Sequence, residues 1–179
     1  HLTLRQCFLH GNENGLLTSN DGVSHIVIEG CEFARNGYGD GFSHNLYVGR
    51  VASLVFRHNY SHDALIGHNL KSRAATNTIT YNRFSSSAPG ASGAGKPSYE
   101  IDLPNGGTSY VIGNLVHQPA SHDNPGLLAY GMEGASNLVG VDLHLTREKM
   151  RELLRALEEK KKLFELVDRF LEQTPGEVG

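Results

Sequence analysis

The sequence predicts an all-β protein, a short parallel β-helix of five to six rungs, followed by one long C-terminal α-helix. Three observations carry that reading. Short stretches of alternating apolar residues return every 23 to 32 positions through the first 145 residues. Glycine is abundant, 21 residues against 6 prolines and no tryptophan, as many tight corners require. Charge then changes abruptly, from 19 charged residues in the first 145 to 16 in the last 34. All ten histidines precede that break. The chain is therefore divided into a β-helix domain, 1–145, and a helical segment, 146–179.

The repeat is defined by one anchor position. Leu2-Thr3-Leu4-Arg5-Gln6-Cys7-Phe8-Leu9 shares an apolar-x-apolar-x-x-anchor-x-apolar pattern with Ile26-Val27-Ile28-Glu29-Gly30-Cys31-Glu32-Phe33. Leu54 to Asn59, Thr78 to Phe84 and Tyr110 to Val116 repeat it. The anchors Cys7, Cys31, Asn59, Asn82 and Asn114 are spaced by 24, 28, 23 and 32 residues, and Val139 to His144 begins a sixth copy. Each copy carries a second strand: Ser43 to Val48, Gly67 to Ser72, Tyr99 to Leu103 and Gly126 to Tyr130. One turn of such a coil cannot bury its inward residues alone. Stacking turns at ~4.8 Å makes a continuous apolar column and pairs each backbone with the next. Asparagine at one corner of successive turns is expected to form an inward amide ladder. A leucine-rich repeat would require a regular leucine consensus that is missing here.

Thr146 supplies an N-cap for the last element, and Glu148 places an anion in the first helical turn. Met150, Leu153, Leu157, Phe164, Val167 and Leu171 form an apolar stripe that Pro175-Gly176 ends. The stripe is expected to cap the open end of the coil or to join a second copy as a homo-oligomer. The start at His1, with no leader, and the foreign composition of the tail suggest a mature form, a fragment, or an engineered graft onto a truncated coil. No apolar run approaches the roughly 18 residues of a membrane span. A net charge of −3 gives no basic field for nucleic acid.

Alternation on the second strand nominates the site. With Leu46, Leu70, Ile101 and Leu128 inward, Asn45, Tyr47, Asn69, Lys71, Glu100 and Asp102 are expected on one outer face, with Arg73 nearby. A lysine beside two carboxylates, amides and a tyrosine can bind a polar ligand, although a surface ion pair on a sheet is the commoner arrangement. Removal of a proton next to a carboxylate needs a base and a cation that neutralises that carboxylate. Lys71 is the candidate base with Arg73 beside it. Asn45, Tyr47, Asn69, Glu100 and Asp102 are the candidate substrate contacts, and Glu100 with Asp102 are the ligands if Ca²⁺ is used.

Residues 2–137 resemble the right-handed parallel β-helix proteins of the pectate-lyase-like superfamily, in an uncharacterised bacterial branch. The resemblance rests on His44-Asn45-Leu46-Tyr47-Val48-Gly49, Gly67-His68-Asn69-Leu70-Lys71-Ser72-Arg73-Ala74 and Glu100 to Gly107. Lys71-Ser72, Asn77 and Asn82-x-Phe84 are similar to the stretch holding the lysine base in β-helix lyases of alginate and dermatan sulfate. Those families place an arginine on the next rung, where this chain has Glu100-Ile101-Asp102-Leu103, leaving Arg73 as the replacement. The resemblance implies a carbohydrate-active protein, lyase- or epimerase-like, that acts on or binds acidic polysaccharide outside the cytoplasm. A non-catalytic carbohydrate-binding coil and an inert engineered scaffold are the alternatives.

Other motifs are read as structural. Ser61-His62-Asp63 and Ser121-His122-Asp123 are contiguous, so neither is a hydrolase triad, and both are assigned to turns. His44 and His68 are expected to stack at equivalent positions. Cys7 and Cys31 lie within disulfide range, either as that bond or as stacked thiols. Gly90–Gly95 is expected to form a flexible lip.

Overall fold

A computed structural model describes residues 1–86, 95–120 and 122–134, together with the backbone of 142–144. The long helix expected over 146–179, with its proposed capping or pairing role, and most of the glycine-rich lip lie outside the described residues. Strands β1 to β16 follow in chain order and stack into three parallel sheets. The first holds β1 (Leu2–Arg5), β4 (His25–Glu29), β7 (Ser53–Arg57), β10 (Thr76–Thr80), β13 (Thr108–Ile112) and β16 (Asp142–His144). The second holds β2 (Phe8–His10), β5 (Glu32–Ala34), β8 (Tyr60–His62), β11 (Arg83–Ser85) and β14 (Leu115–His117). The third holds β3 (Leu16–Leu17), β6 (Leu46–Val48), β9 (His68–Ser72), β12 (Tyr99–Leu103) and β15 (Leu128–Tyr130). Each turn gives one strand to each sheet, which makes the described residues a parallel β-solenoid.

Register places like on like. Ile26 pairs with Leu54 and Ile28 with Phe56, while Phe56 pairs with Ile79. These side chains are buried and form the axial core with Leu46, Leu70 and Ile101. Phe33 and Phe84 share a register column with the small Ser61 between them. Phe56 from the first sheet contacts both, at ring-centroid distances of 6.1 and 5.8 Å. Ser61 stays inside because its hydroxyl donates to the Asn69 carbonyl at 2.6 Å, so a buried polar atom keeps a partner.

The corner between the first and second sheets bears the predicted ladder. The backbone N–H of Cys31 donates to Asn59 Oδ1 at 2.8 Å, that of Asn59 to Asn82 Oδ1 at 2.9 Å, and that of Asn82 to Asn114 Oδ1 at 2.9 Å. Each amide nitrogen donates back into the coil, to the carbonyls of Ile28, Phe56 and Ile79. Backbone groups at a corner cannot all join a strand ladder, and the asparagines satisfy those left over. At the same position, Cys7 and Cys31 are free thiols, and Cys31 Sγ accepts the Cys7 N–H at 3.4 Å. The residue just before each anchor turns the corner in the left-handed region: Gln6, Gly30, His58, Tyr81 and Gly113 have φ between 53 and 67°. For Gln6, His58 and Tyr81 that conformation costs roughly 1–2 kcal/mol each, offset by the anchor contacts that follow.

Asn59→Ala should cost about 3 kcal/mol of stability in urea denaturation, because it strands the buried Cys31 N–H and Ile28 carbonyl. Leu115→Ala, at a side chain 63 % exposed, should cost less than about 0.5 kcal/mol in the same assay.

Candidate functional site

The third sheet carries the predicted residues, and it separates them into two groups. Leu46, Leu70 and Ile101 are buried inward as expected. Tyr47, Lys71 and Asp102 form the next register column, on the outer face. Asn45, Asn69 and Glu100 do not share that face, which corrects the expectation from strict alternation. All three are fully buried. They sit where the chain enters each strand from a corner; Asn45 and Asn69 turn toward backbone groups, and Glu100 toward the Asn69 and Ser86 side chains. Asn45 Nδ2 donates to the His62 carbonyl at 2.8 Å and to Asn69 Oδ1 at 2.7 Å, and its Oδ1 accepts the Asn36 N–H at 2.9 Å. Asn69 Oδ1 also accepts the Ala64 N–H, and its Nδ2 donates to Glu100. The Ser86 hydroxyl donates to the other Glu100 oxygen at 3.3 Å. This is a second polar ladder, closed by a carboxyl group. Burial pushes that carboxyl up from 4.5 to about 7, against the pull of the Asn69 and Ser86 hydrogen bonds.

The outer cluster is ionic. Lys71 Nζ lies 3.1 Å from Asp102 Oδ2 and 3.0 Å from Glu133 Oε1. Arg73 Nη2 meets Glu133 Oε2 at 2.5 Å, while its Nε donates to Tyr47 Oη at 2.7 Å and its Nη1 to Asn105 Oδ1 at 2.5 Å. Both cations lie near the Tyr47 ring, at 5.9 and 5.7 Å from its centroid, within cation–π range. Burial pushes the Asp102 carboxyl up, opposed by Lys71. Partial burial also pushes on Glu133, but its contacts with Arg73 and Lys71 hold it below the usual carboxylate range. Sequence reasoning missed Glu133, which follows β15 in a turn and has no counterpart in earlier rungs.

The histidine stack is as expected. The His44 and His68 rings stack at 4.7 Å, and His68 stacks on Tyr99 at 5.5 Å. His44 Nδ1 accepts the His68 N–H, and His68 Nδ1 accepts the Tyr99 N–H, each at 3.1 Å. With Nδ1 occupied as an acceptor, a neutral His68 carries its proton on Nε2, which faces Asp102 Oδ2 at 3.3 Å. Burial lowers both imidazoles, His44 to about 4 and His68 further. Asp102 is thereby held from two sides.

Calcium fits this arrangement poorly. Glu100 is engaged by Asn69 and Ser86, and Asp102 by Lys71 and His68, so the two carboxylates serve separate partner sets. Among the described residues, no group of three His, Cys, Asp or Glu side chains could hold a metal ion. Beside the cluster, Asn20, Tyr47, Arg50 and Arg73 line a depression of about 310 Å³. Its charged lining is entirely cationic. Elsewhere, Ser61 and His62 belong to β8 rather than to a turn. His62 contacts Asp63 at 2.7 Å and Glu32 at 3.1 Å. No family model, curated protein or solved structure matches the chain.

Glu100 binds its proton more tightly folded than unfolded. Its contribution to stability is therefore complete below about 4.5 and lost as pH rises through about 7. His44 and His68 act in the opposite sense, losing stability as pH falls below their ordinary 6.5. A wild-type minus Glu100→Gln difference isolates the carboxyl. Chemical denaturation from pH 4 to 8 should show the variant gaining about 3 kcal/mol relative to wild type across that range.

Proposed function

We propose that the outer face of the third sheet binds acidic polysaccharide, and that binding rather than elimination is its primary activity. The observation that carries this is the depression lined by Arg73, Arg50, Tyr47 and Asn20. A guanidinium donates two parallel hydrogen bonds to a carboxylate or sulfate. Tyr47 supplies a ring against which a sugar face can rest, and Asn20 an amide for hydroxyls. The rungs stack along one axis, so the face suits an extended chain. Glu133 now fills part of the Arg73 donor set, and an incoming uronate carboxylate would exchange with it. The β-helix resemblance points to the same ligand class and to a place outside the cytoplasm.

The lyase- or epimerase-like reading needs Lys71 as a proton acceptor. Lys71 is enclosed by two carboxylate partners, a geometry that suits an ammonium group with no lone pair to offer. Elimination would first require Asp102 and Glu133 to withdraw from it. Binding at Arg73 requires only that Glu133 exchange, and leaves Asp102 on Lys71.

Titration calorimetry with oligogalacturonate, alginate and glycosaminoglycan fragments should give saturable binding to at least one, weakened by added salt. Arg73→Ala should reduce that affinity by about ten- to a hundredfold. Absence of binding to all three would overturn the proposal. Ultraviolet absorbance from unsaturated uronate, abolished by Lys71→Ala, would replace it with the lyase reading.

A further inference from the structure

The left-handed corner before each anchor forms a column of Gln6, Gly30, His58, Tyr81 and Gly113. His58 and Tyr81 stack within it, with centroids 5.6 Å apart and planes 8° from parallel. The Tyr81 ring then covers Gly113, where an added Cβ would come within 2.7 Å of Tyr81 Cδ1 and Cε1. That end of the stack is closed. The other end is open: a Cβ at Gly30 would meet only Gln6 Cγ, at 3.8 Å. Gln6, His58 and Tyr81 adopt the same backbone conformation with side chains, so the turn itself does not require glycine at 30. The column therefore lacks one side chain beside an exposed imidazole face.

Two hollows meet at that gap. One, of about 470 Å³, is bordered by Arg5, Glu29 and Arg57, the other, of about 530 Å³, by Glu32, Tyr60 and Arg83, and both reach Gly30 and His58. Glu29 bridges Arg5 at 3.2 Å and Arg57 at 3.0 Å. Arg83 lies over the Tyr60 ring at 4.9 Å, and Glu32 faces His62. Glu29 is taken up by Arg5 and Arg57, Glu32 by His62 and Arg83 by the Tyr60 ring, so this wall offers no unengaged charge and favours a ligand without net charge. A ring placed over Gly30 would lie one strand spacing, ~4.8 Å, from His58. Its edge would reach ionic side chains on both sides, which suits hydroxyl groups. A simple aromatic ring would cover those ions without returning a hydrogen bond, and a phosphorylated ligand would have to displace Glu29 to reach Arg5 and Arg57.

We infer that the gap over Gly30 is a binding site for the pyranose ring of a neutral sugar, stacked on His58 and separate from the Arg73 face. This inference does not rest on the acidic-polysaccharide reading. The test is NMR titration of the ¹⁵N-labelled chain with cellohexaose and xylohexaose. The Gly30 amide and the His58 ring protons should shift saturably with at least one of them, and Arg73→Ala should leave that titration unchanged. Gly30→Tyr, which supplies the missing ring, should weaken binding about tenfold or more, as should His58→Ala, which removes the platform. Should Gly30→Tyr lose its fold by circular dichroism, His58→Ala decides alone. Absence of saturable shifts with both sugars, or shifts that persist unchanged in the folded variants, overturns the inference.

Discussion

The solenoid depends on corner side chains that satisfy backbone hydrogen-bonding groups the strands cannot. Sheets pair their own N–H and C=O groups, but a coil must break each strand at every corner. The backbone groups there are buried against the next turn and cost free energy if left alone. Asn59, Asn82 and Asn114 solve this with one side chain each, accepting from the turn before and donating toward the core. Asparagine suits the position because a single short amide offers both an acceptor and two donors. Cys7 and Cys31 hold the same position at the first two turns, where a thiol accepts the N–H more weakly.

The second ladder follows the same logic with a different last member. Asn45 and Asn69 pass hydrogen bonds along the axis to Glu100. In its protonated form a buried carboxyl offers an oxygen acceptor and one donor, the inventory of a shortened amide. Burial favours that form at Glu100. The low-dielectric corner raises the proton affinity of this acid even though both of its hydrogen bonds are accepted ones that favour the carboxylate.

Much of the fold was legible in the sequence because a parallel coil repeats its constraints. The five anchors and the alternating strands recur every 23 to 32 residues, and His44 and His68 hold equivalent places, so a single sequence serves as its own comparison. The site was less legible. Alternation correctly put Tyr47, Lys71 and Asp102 outside, yet failed one step earlier at Asn45, Asn69 and Glu100, which stand at the strand starts and are buried in a polar ladder of their own. Glu133 was invisible for the complementary reason. It reaches Lys71 and Arg73 from a turn that occurs once, and no repeat announces it. Features shared among rungs could be read from periodicity, and features added to one rung required the fold.

The two candidate sites differ in how their charges are disposed, and that difference follows from register. On the third sheet, Tyr47, Lys71 and Asp102 are neighbours on successive turns, which sets one cation directly beside one carboxylate. Arg73 lies past the end of β9, beyond that pairing. It shares Glu133 with Lys71, and its remaining donors turn toward Asn105 and toward Tyr47, which lines the hollow. Cationic character therefore collects at the strand end. On the first sheet, Arg5, Glu29 and Arg57 are themselves register neighbours, so one carboxylate bridges both arginines and neither guanidinium stands without an anionic partner. A parallel coil thus sets local charge by which residue types fall at one position on consecutive turns. Anionic and neutral ligands can be distinguished on different faces of the same short stack.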